Sequence, residues 1–419
     1  MPMPDLEAIR RTTWQIKPVS EHEEYIVVKR KLSVAVLGAG HGGLALAAYL
    51  SRRGRTVSLW NRSFERVAAV AERRGIQLVT PGRDAVHAPI ALATCDMAAA
   101  LSDASVVLVA VPACGHADVA RLCAPHLQHG QTVLLVPGRT GGSLEFRRVL
   151  REANCHARIL LGEANTFPFA ARCVGPASAV IYGQKAEVLA AALPANRTPE
   201  LLAACRPFLP MLCPARSVLH TGLANLGAIL HPVITLLNAD RIARGEPFDF
   251  YREGVTFSVA ATLAAADAER RSIAQAYGVP ACSLRDWIAR AYHHHADTIH
   301  DALAGNPAYA GIKAPTTLEH RYLFEDVPTG LIPLRELGES AGLDLPVLTD
   351  LVDQSRSVLG SRQWQRPRTL DVLGLDGLSA ESIRAYVERG RAAAMPRTIR
   401  TASIPLGRFP LGLELIPQV

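Results

Sequence analysis

The sequence predicts an α/β domain with a doubly wound parallel sheet, followed by an all-α domain. In the first half, short apolar runs rich in β-branched residues alternate with helical segments, as in parallel sheets. From about Pro199 these runs stop, and long segments follow with apolar residues at three- and four-residue spacing. A chain of 419 residues also exceeds the size of one ordinary core. We therefore expect a leader over residues 1–30, a first domain over 31–198 and a second over 199–419.

The first strand, turn and helix carry a glycine fingerprint. Ser33 to Leu37 is a short apolar run of the kind that parallel sheets bury. Gly38, Gly40 and Gly43 follow it with the spacing G-x-G-x-x-G. The first glycine permits a tight turn, the second lets the backbone approach a pyrophosphate, and the third lets helix and strand pack closely. Because this fingerprint lies inside a βαβ unit, it predicts a dinucleotide-binding domain of the Rossmann type.

The end of the second strand bears on which dinucleotide binds. The strand "GRTVSLW" is followed directly by Asn61 and Arg62. Sites specific for NAD usually carry an Asp or Glu there, which binds the ribose hydroxyls. An arginine instead suits the 2′-phosphate of NADP, because its fork of donors pairs with phosphate. The sequence therefore favours NADP as cofactor, with Asn61 and Arg62 at its site. The alternative is that Arg62 is a solvated residue and that NAD serves equally well.

Three further apolar runs of the first domain each end in turn residues. They are "SVVLVAVP" (105–112), "QTVLLVPG" (131–138) and "ARILLGEA" (157–164). Ligands of doubly wound sheets bind beyond the carboxyl ends of the strands. This rule places Pro112, the segment "PGRTGG" (137–142) and Glu163 along the predicted cofactor cleft. Each of them is also compatible with an ordinary tight turn.

Composition and charge argue against several classes of protein. The formal net charge is +7, but lysine and arginine are scattered and not gathered into blocks. This argues against nucleic-acid binding and for a basic surface that attracts anionic small molecules. The eight cysteines show no CxxC spacing, which suits a reducing compartment. We also expect no membrane partner, because no apolar stretch reaches the ~18–20 residues of a span. A cytoplasmic location follows, and a homodimer is left open.

Histidine is the next residue type with chemical significance. The run "HHH" at 293–295 and His300 lie on a charged segment without a pattern such as HExxH, so we predict no metal site.

His231 differs, since it lies in the apolar helical segment "LGAILHPVITLLN" with Pro232 directly behind it. Proline inside a helix costs roughly 3 kcal/mol. If Pro232 kinks or begins the helix, the ring of His231 can turn into a cleft; otherwise it is a satisfied core histidine.

Three motifs in the second half resemble one family. They are "HPVITLLN", "FYREGVTFSVAATLAAADAERRSIAQAYGV" and "EHRYLFEDVPTGLIPLRELGESAGLDLPVL", in this order. Together with the glycine loop "VLGAGHGGLALAAYL", they look like the opine dehydrogenases, the family of octopine and nopaline dehydrogenases. The resemblance extends from about Lys31 to Arg368. It implies an NAD(P)-dependent enzyme that joins the amino group of an amino acid to a 2-keto acid and reduces the resulting imine.

The resemblance also implies roles for three residues. His231 would transfer protons, and the ordinary pKa of histidine near 6.5 suits that task. Asp326 would hydrogen-bond the imidazole, fix its tautomer and stabilise its charged form. Arg321, in "HRYLFED", would bind the carboxylate of the keto acid. Because these residues lie far apart in the chain, only the fold can bring them together.

Several residues and two other functions stay open. Asn238 and Glu253 follow the family pattern with either a substrate or a structural role, Trp287 either lines a pocket or fills the core, and Arg172 is a candidate second anion-binding residue. A 2-hydroxy-acid or phosphorylated-alcohol dehydrogenase is a competing hypothesis. Such enzymes generally use a lysine as acid, and the helical half offers only Lys313. A nucleotide-sensing binding protein without catalysis is the third hypothesis.

Overall fold

The computed structural model describes residues 32–360, 364 and 366–390. The leader predicted over residues 1–30 and the chain after residue 390 lie outside these described residues. Within them, an N-terminal α/β part with a large mixed sheet is followed by an α-helical part, which confirms the predicted fold class.

Within the described residues, the α/β part contains two sheets built from strands β1 to β12. In chain order these are β1 (Ser33–Leu37), β2 (Thr56–Trp60), β3 (Gly75–Val79), β4 (Val86–Pro89), β5 (Leu92–Thr94), β6 (Val106–Val109), β7 (Thr132–Leu135), β8 (Leu160–Ala164), β9 (Phe169–Gly175), β10 (Ser178–Gln184), β11 (Val188–Ala192) and β12 (Leu212–Pro214).

The larger sheet has eight strands in the order β12-β11-β8-β7-β6-β1-β2-β5. Its neighbouring strands are parallel except for β11 and β8, which are antiparallel. The chain crosses over between β2 and β6, which lie on opposite sides of β1, so the carboxyl end of β1 opens onto a crevice. The predicted runs coincide with β1, β2, β6, β7 and β8.

Two features of the strands differ from the sequence prediction. Strand β12 lies in the larger sheet, so the expectation that strands stop near Pro199 is wrong. The division of the chain at residue 198 stays a prediction. A second sheet of four strands, in the order β4-β3-β10-β9, was not predicted. Its edge strands β4 and β9 carry many exposed residues, so they lack the continuous apolar run by which a buried strand is recognised.

Helices α1 to α17 complete the fold. They are α1 (His41–Arg52), α2 (Glu65–Arg73), α3 (Met97–Leu101), α4 (His116–Cys123), α5 (Gly142–Glu152), α6 (Thr198–Cys205), α7 (Val218–Leu223), α8 (Gly227–Leu237), α9 (Ala239–Ala243), α10 (Phe257–Ala276), α11 (Leu284–Tyr292), α12 (Ile299–Ala304), α13 (Arg321–Phe324), α14 (Ile332–Ser340), α15 (Pro346–Leu359), α16 (Leu370–Leu373) and α17 (Ala380–Arg389). Short 3-10 turns and one π-helical turn, Val327–Leu331, lie between them.

Apolar side chains form three cores within the described residues, and the core of the helical part also includes Leu144 and Leu193 of the α/β part. Alternate residues of β1 point to opposite faces of the larger sheet, so Val34 and Val36 join one core and Ala35 and Leu37 another. The helical part has its own core, in which α8 packs against α10 and α15. Helix α8 lies between this core and the crevice, and it is the helix that carries His231.

Pro232 lies inside α8, in its second turn, and does not begin the helix. The segment Val218–Leu237, which includes α7 and α8, is long and apolar enough to cross a membrane, although we expected no such stretch. In its most apolar window of 18 residues, 78% of the residues are buried, which is the pattern of a core helix.

Candidate active site

His231 and Asp326 meet although 95 positions separate them in the chain. His231 Nδ1 lies 2.8 Å from Asp326 Oδ2. The side chain of Asp326 is 1% exposed, whereas that of His231 is 20% exposed and reaches the cleft. A hydrogen bond at Nδ1 fixes the tautomer of the ring and leaves Nε2 for a substrate. The pair has the arrangement in which a carboxylate orients a histidine for proton transfer.

The ring of His231 is also held by stacking. Tyr322 lies parallel to it, with ring centroids 4.4 Å apart and an interplanar angle of 20°. Tyr322 contacts Phe250 on another side at 4.9 Å, so it is itself fixed by the helical core. The π-helical turn that follows Asp326 begins at Val327, and such turns occur frequently at functional sites. Packing and hydrogen bonding together therefore restrict the imidazole to one orientation.

Arg139 connects the α/β part to this pair. It follows β7 in the segment 137–142 and has a φ of 61°, which is uncommon outside glycine. Its guanidinium lies 3.6 Å from Asp326 Oδ1 and 3.9 Å from Glu325 Oε1, and it donates to Asn225 Oδ1 at 3.2 Å. Burial alone raises the pKa of Asp326, but Arg139 and His231 outweigh it, and the pKa lies below its ordinary value. Asp326 is therefore an anion at neutral pH.

Arg321 lies at the same cleft and is paired with Glu325. The two side chains are 3.0 Å apart, and that of Arg321 is 54% exposed, so its remaining donors are accessible. Glu325 also accepts a hydrogen bond from the backbone of Ala113, in the 3-10 turn that follows β6. Burial, and then the charges of Arg172, Arg66 and Arg321, lower the pKa of His41 in the glycine loop. Arg321 is therefore close enough to the glycine loop for its charge to act on His41.

A fully buried arginine anchors the loops around the cleft. Arg368 Nε donates to Glu145 at 2.8 Å, and the other nitrogens donate to the carbonyls of Ala113, Gly138 and Thr140 and to His116 Nδ1. Burial, and then Arg368 and Arg139, hold the pKa of His116 well below its ordinary value, so this ring is neutral. Because Gly138 and Thr140 flank Arg139, Arg368 fixes the loop that presents Arg139.

The glycine fingerprint has the shape that a pyrophosphate requires. Gly38 has a φ of 116°, and a Cβ added at Gly43 would lie 1.6 Å from Gly38 O, so neither position admits a side chain. A Cβ added at Gly40 would meet nothing within 4 Å, because open space lies beyond the N-terminus of α1. Backbone donors and the helix dipole at such a terminus favour an anion. These residues fit NAD or NADP.

Asn61 and Arg62, which follow β2, differ in their contacts and in their exposure to solvent. Asn61 Oδ1 accepts a hydrogen bond from Ala39 N at 3.0 Å, so its side chain supports the glycine loop from the next strand. The side chain of Arg62 is 77% exposed and lies 3.9 Å from Asp118. Arg62 is therefore positioned at the end of β2 with its donors accessible to a phosphate.

Glu163 and Asn238, two other candidates from the sequence, form hydrogen bonds that stabilise the fold. Glu163 is fully buried, and it accepts hydrogen bonds from Ser143 N at 2.8 Å and Thr221 Oγ1 at 2.6 Å, so it joins α5 to α7. Asn238 donates to the carbonyls of Ile234 and Gly254. These contacts leave neither side chain directed at a substrate.

Within the described residues, the remaining candidates form no hydrogen bond with the His231–Asp326 pair. Glu253 accepts from the backbone of Asp249, and Trp287 packs against the helical core and Tyr292. Arg172 is exposed, and its guanidinium donates to the carbonyl of Ala171. Within the residues that the structure describes, no group of three or more His, Cys, Asp or Glu side chains is arranged to hold a metal ion.

Sequence reasoning missed Arg139, Glu325 and Tyr322 as members of the site. Tyr322 and Glu325 lie in the quoted motif "HRYLFED", beside the two residues that were selected from it. Arg139 lies in the segment 137–142, which the sequence places along the cofactor cleft without a role for this arginine. Strand order supplied the signal for Arg139, since a charged residue directly after a central strand faces the crevice.

Comparison with protein families assigns both parts of the chain. Residues 214–358 match the α-helical domain of NAD/NADP octopine/nopaline dehydrogenases. Residues 33–145 match the N-terminal domain of NAD-dependent glycerol-3-phosphate dehydrogenases.

Individual relatives agree with this assignment. An opine dehydrogenase of Arthrobacter sp. (strain 1C) is 40% identical over 84% of this chain and 98% of its own length. The solved octopine dehydrogenase in complex with NADH and agmatine has a TM-score of 0.73 at 20% identity, over 87% of this chain and all of that one. Yersinopine dehydrogenase with bound NADP+ has a TM-score of 0.61 at 17% identity, over 86% and 98% of the two chains. The chain therefore belongs to the opine dehydrogenase family, which consists of NAD(P)-dependent oxidoreductases acting on CH–NH bonds.

Proposed function

We propose that His231 and Asp326 are the proton-transfer pair of this opine dehydrogenase, that Arg321 binds the keto-acid carboxylate, and that NADPH is the preferred reductant. The observation that carries the proposal is the 2.8 Å contact between His231 Nδ1 and Asp326 Oδ2, in a chain whose glycine loop fits the cofactor. The substrates are an amino acid and a 2-keto acid, and the product is a secondary amine dicarboxylate.

Each of the proposed site residues has a separate role in the condensation. The neutral amine of the amino acid attacks the keto carbon, and a hydroxyl must then leave as water to form the imine. Protonated His231 donates from Nε2 to that hydroxyl, and Asp326 stabilises the imidazolium before the transfer. Arg321 orients the keto acid by binding its carboxylate in a bidentate manner. Loss of that water leaves the protonated imine, and the reduced nicotinamide, when bound, supplies the hydride that converts this cation to the neutral secondary amine.

Dependence on an amine is the expected behaviour that tests the reaction. In a mixture of NADPH, a 2-keto acid and an amino acid, absorbance of the reduced cofactor should fall only when all three are present. A panel of twenty amino acids with pyruvate, 2-oxoglutarate and oxaloacetate covers the carboxylate and side-chain chemistry. Consumption of cofactor with keto acid alone would favour a 2-hydroxy-acid dehydrogenase. Absence of turnover with every pair would favour the nucleotide-binding protein.

The cofactor preference is tested by Arg62→Ala. Loss of a charge-assisted contact to the 2′-phosphate should raise KM for NADPH about tenfold, which corresponds to ~1.4 kcal/mol, whereas KM for NADH should change little. Arg83→Ala removes another exposed arginine and is the matched control. Equal changes in KM for the two cofactors would show that Arg62 does not contact the 2′-phosphate.

The proposal also covers the cellular location and the oligomeric state of the protein. All eight cysteines are free in the structure, which supports a reducing, cytoplasmic compartment. The homodimer that the sequence leaves open stays a prediction, which light scattering on the purified protein would test.

A further inference from the structure

Lys185 is a half-buried lysine at the cleft for which the reaction described above has no role. It lies in the loop between β10 and β11, where its backbone N donates to Pro168 O at 2.9 Å. Its Nζ donates to Thr166 Oγ1 at 2.5 Å. Both partners belong to the segment directly after β8, and the carboxyl end of β8 lies at the ligand-binding edge of the sheet. The ammonium is therefore anchored at that edge.

The same segment contacts the glycine loop. Phe167, between the two partners of Lys185, packs so closely on Gly42 that a Cβ there would lie 2.9 Å from its ring. The loop that holds Lys185 therefore adjoins the loop that fits the cofactor pyrophosphate.

In the described structure, the ammonium group of Lys185 has no negatively charged partner. Among the residues that the structure describes, no carboxylate lies within 4.0 Å of its ammonium. Burial, followed by the positive charge of Arg139, lowers the pKa of Lys185 to about 8. Two cations that repel each other in a partly desolvated cleft are both stabilised when an anion binds near them.

The charges of the other residues in the cleft also favour binding of an anion there. Arg139 and Arg321 pair with the two carboxylates Glu325 and Asp326, whereas Lys185 has no carboxylate partner among the described residues. The excess of positive charge suits ligands that bring carboxylates. An amino acid and a 2-keto acid each carry one, and their condensation product carries both.

We propose that Lys185, held in place by Thr166, is an anion-binding residue of the cleft that takes the carboxylate of one of the two co-substrates. This inference rests on the proposed function. It assigns the second carboxylate-binding position to a residue of the α/β part, across the cleft from Arg321. Arg172, the sequence candidate for that position, is exposed and lacks such an anchor.

Steady-state kinetics of Lys185→Met provide the test. Methionine keeps the length of the side chain and removes its charge. KM should rise at least tenfold for either the keto acid or the amino acid, whereas KM for NADPH should change less than threefold. Which KM rises identifies the carboxylate that Lys185 binds. Lys313→Met is the control, because Lys313 is an exposed lysine that already has a carboxylate partner, Asp249, at 2.6 Å.

A pH series with Lys185→Arg gives an independent result. The lysine is cationic below its pKa of about 8 and neutral above it, so the KM it controls should rise in the wild type as pH increases through 8. The arginine variant stays charged and should lack this rise, while titration of the substrates themselves is common to both proteins. If Lys185→Met does not fold, this comparison alone decides the question.

The outcomes separate this inference from the function on which it rests. A wild type that fails to couple any keto acid to an amine overturns the proposed function and this inference with it. A wild type that couples them, with both substrate KM values unchanged in Lys185→Met, overturns this inference alone. A decrease in kcat without a change in KM overturns it as well, since Lys185 would then act in proton transfer and not in binding.

Discussion

His231→Ala is expected to lower kcat by about 100-fold or more, because general acid–base catalysis by a positioned side chain contributes typically 10²–10⁴-fold. Binding of NADPH should be unchanged, since the glycine loop lies on the other side of the cleft. Turnover of the best substrate pair, together with a direct titration of NADPH, measures both quantities. The substitution also removes the ring that stacks on Tyr322 at 4.4 Å, so circular dichroism should accompany the assay.

Two further variants make this result specific. Asp326→Asn keeps the shape of the partner but removes its charge, so it should lower kcat and shift the pH profile of kcat. His156→Ala removes an exposed histidine of the α/β part and should leave turnover unchanged. A His231→Ala enzyme with kcat within threefold of the wild type would remove this residue from the mechanism.

Arg368→Met is expected to lower the free energy of unfolding by about 3–5 kcal/mol, since it removes one partner of a buried ion pair and leaves the other uncompensated. Glu145 loses the contact at 2.8 Å, and the carbonyls of Ala113, Gly138 and Thr140 lose their donors. Turnover should also fall at temperatures where the variant is folded, because the loop that presents Arg139 is no longer anchored. Chemical denaturation and activity at a low temperature measure the two effects.

The control for Arg368 is a surface arginine. Arg356 and Asp353 form an exposed ion pair at 3.1 Å, and pairs of this kind contribute about 0–1 kcal/mol. Arg356→Met should therefore change stability little. The double variant Arg368→Met with Glu145→Leu should recover part of the stability, because it removes both buried charges. A destabilisation by Arg368→Met no larger than that of Arg356→Met would contradict the anchoring role.

Local patterns were sufficient to predict the sheet that positions the site. Each of β1, β2, β6, β7 and β8 is a largely buried strand with at least one parallel neighbour, and such strands are continuous apolar runs that periodicity detects. Strand β12 has only three residues, and β9 alternates between buried and exposed positions. Neither pattern distinguishes a strand from a loop in a single sequence.

The candidate site was predictable where a motif marks it. His231, Asp326 and Arg321 were selected from family motifs, and the structure brings all three to one cleft. Lys185 and Arg368 do not lie in a motif that identifies them as site residues. Their environments come from contacts between segments 19 and 223 positions apart, and no local pattern reports these contacts.

The apolar segment Val218–Leu237, with its mean hydropathy of 1.2 over 18 residues, has a consequence before the chain has folded. A newly made or denatured chain exposes this stretch, and neighbouring chains can stack on it as β-strands. Proline is excluded from such stacks because it lacks a backbone donor. Pro232 interrupts the stretch, so the residue next to His231 also limits self-association during synthesis and refolding.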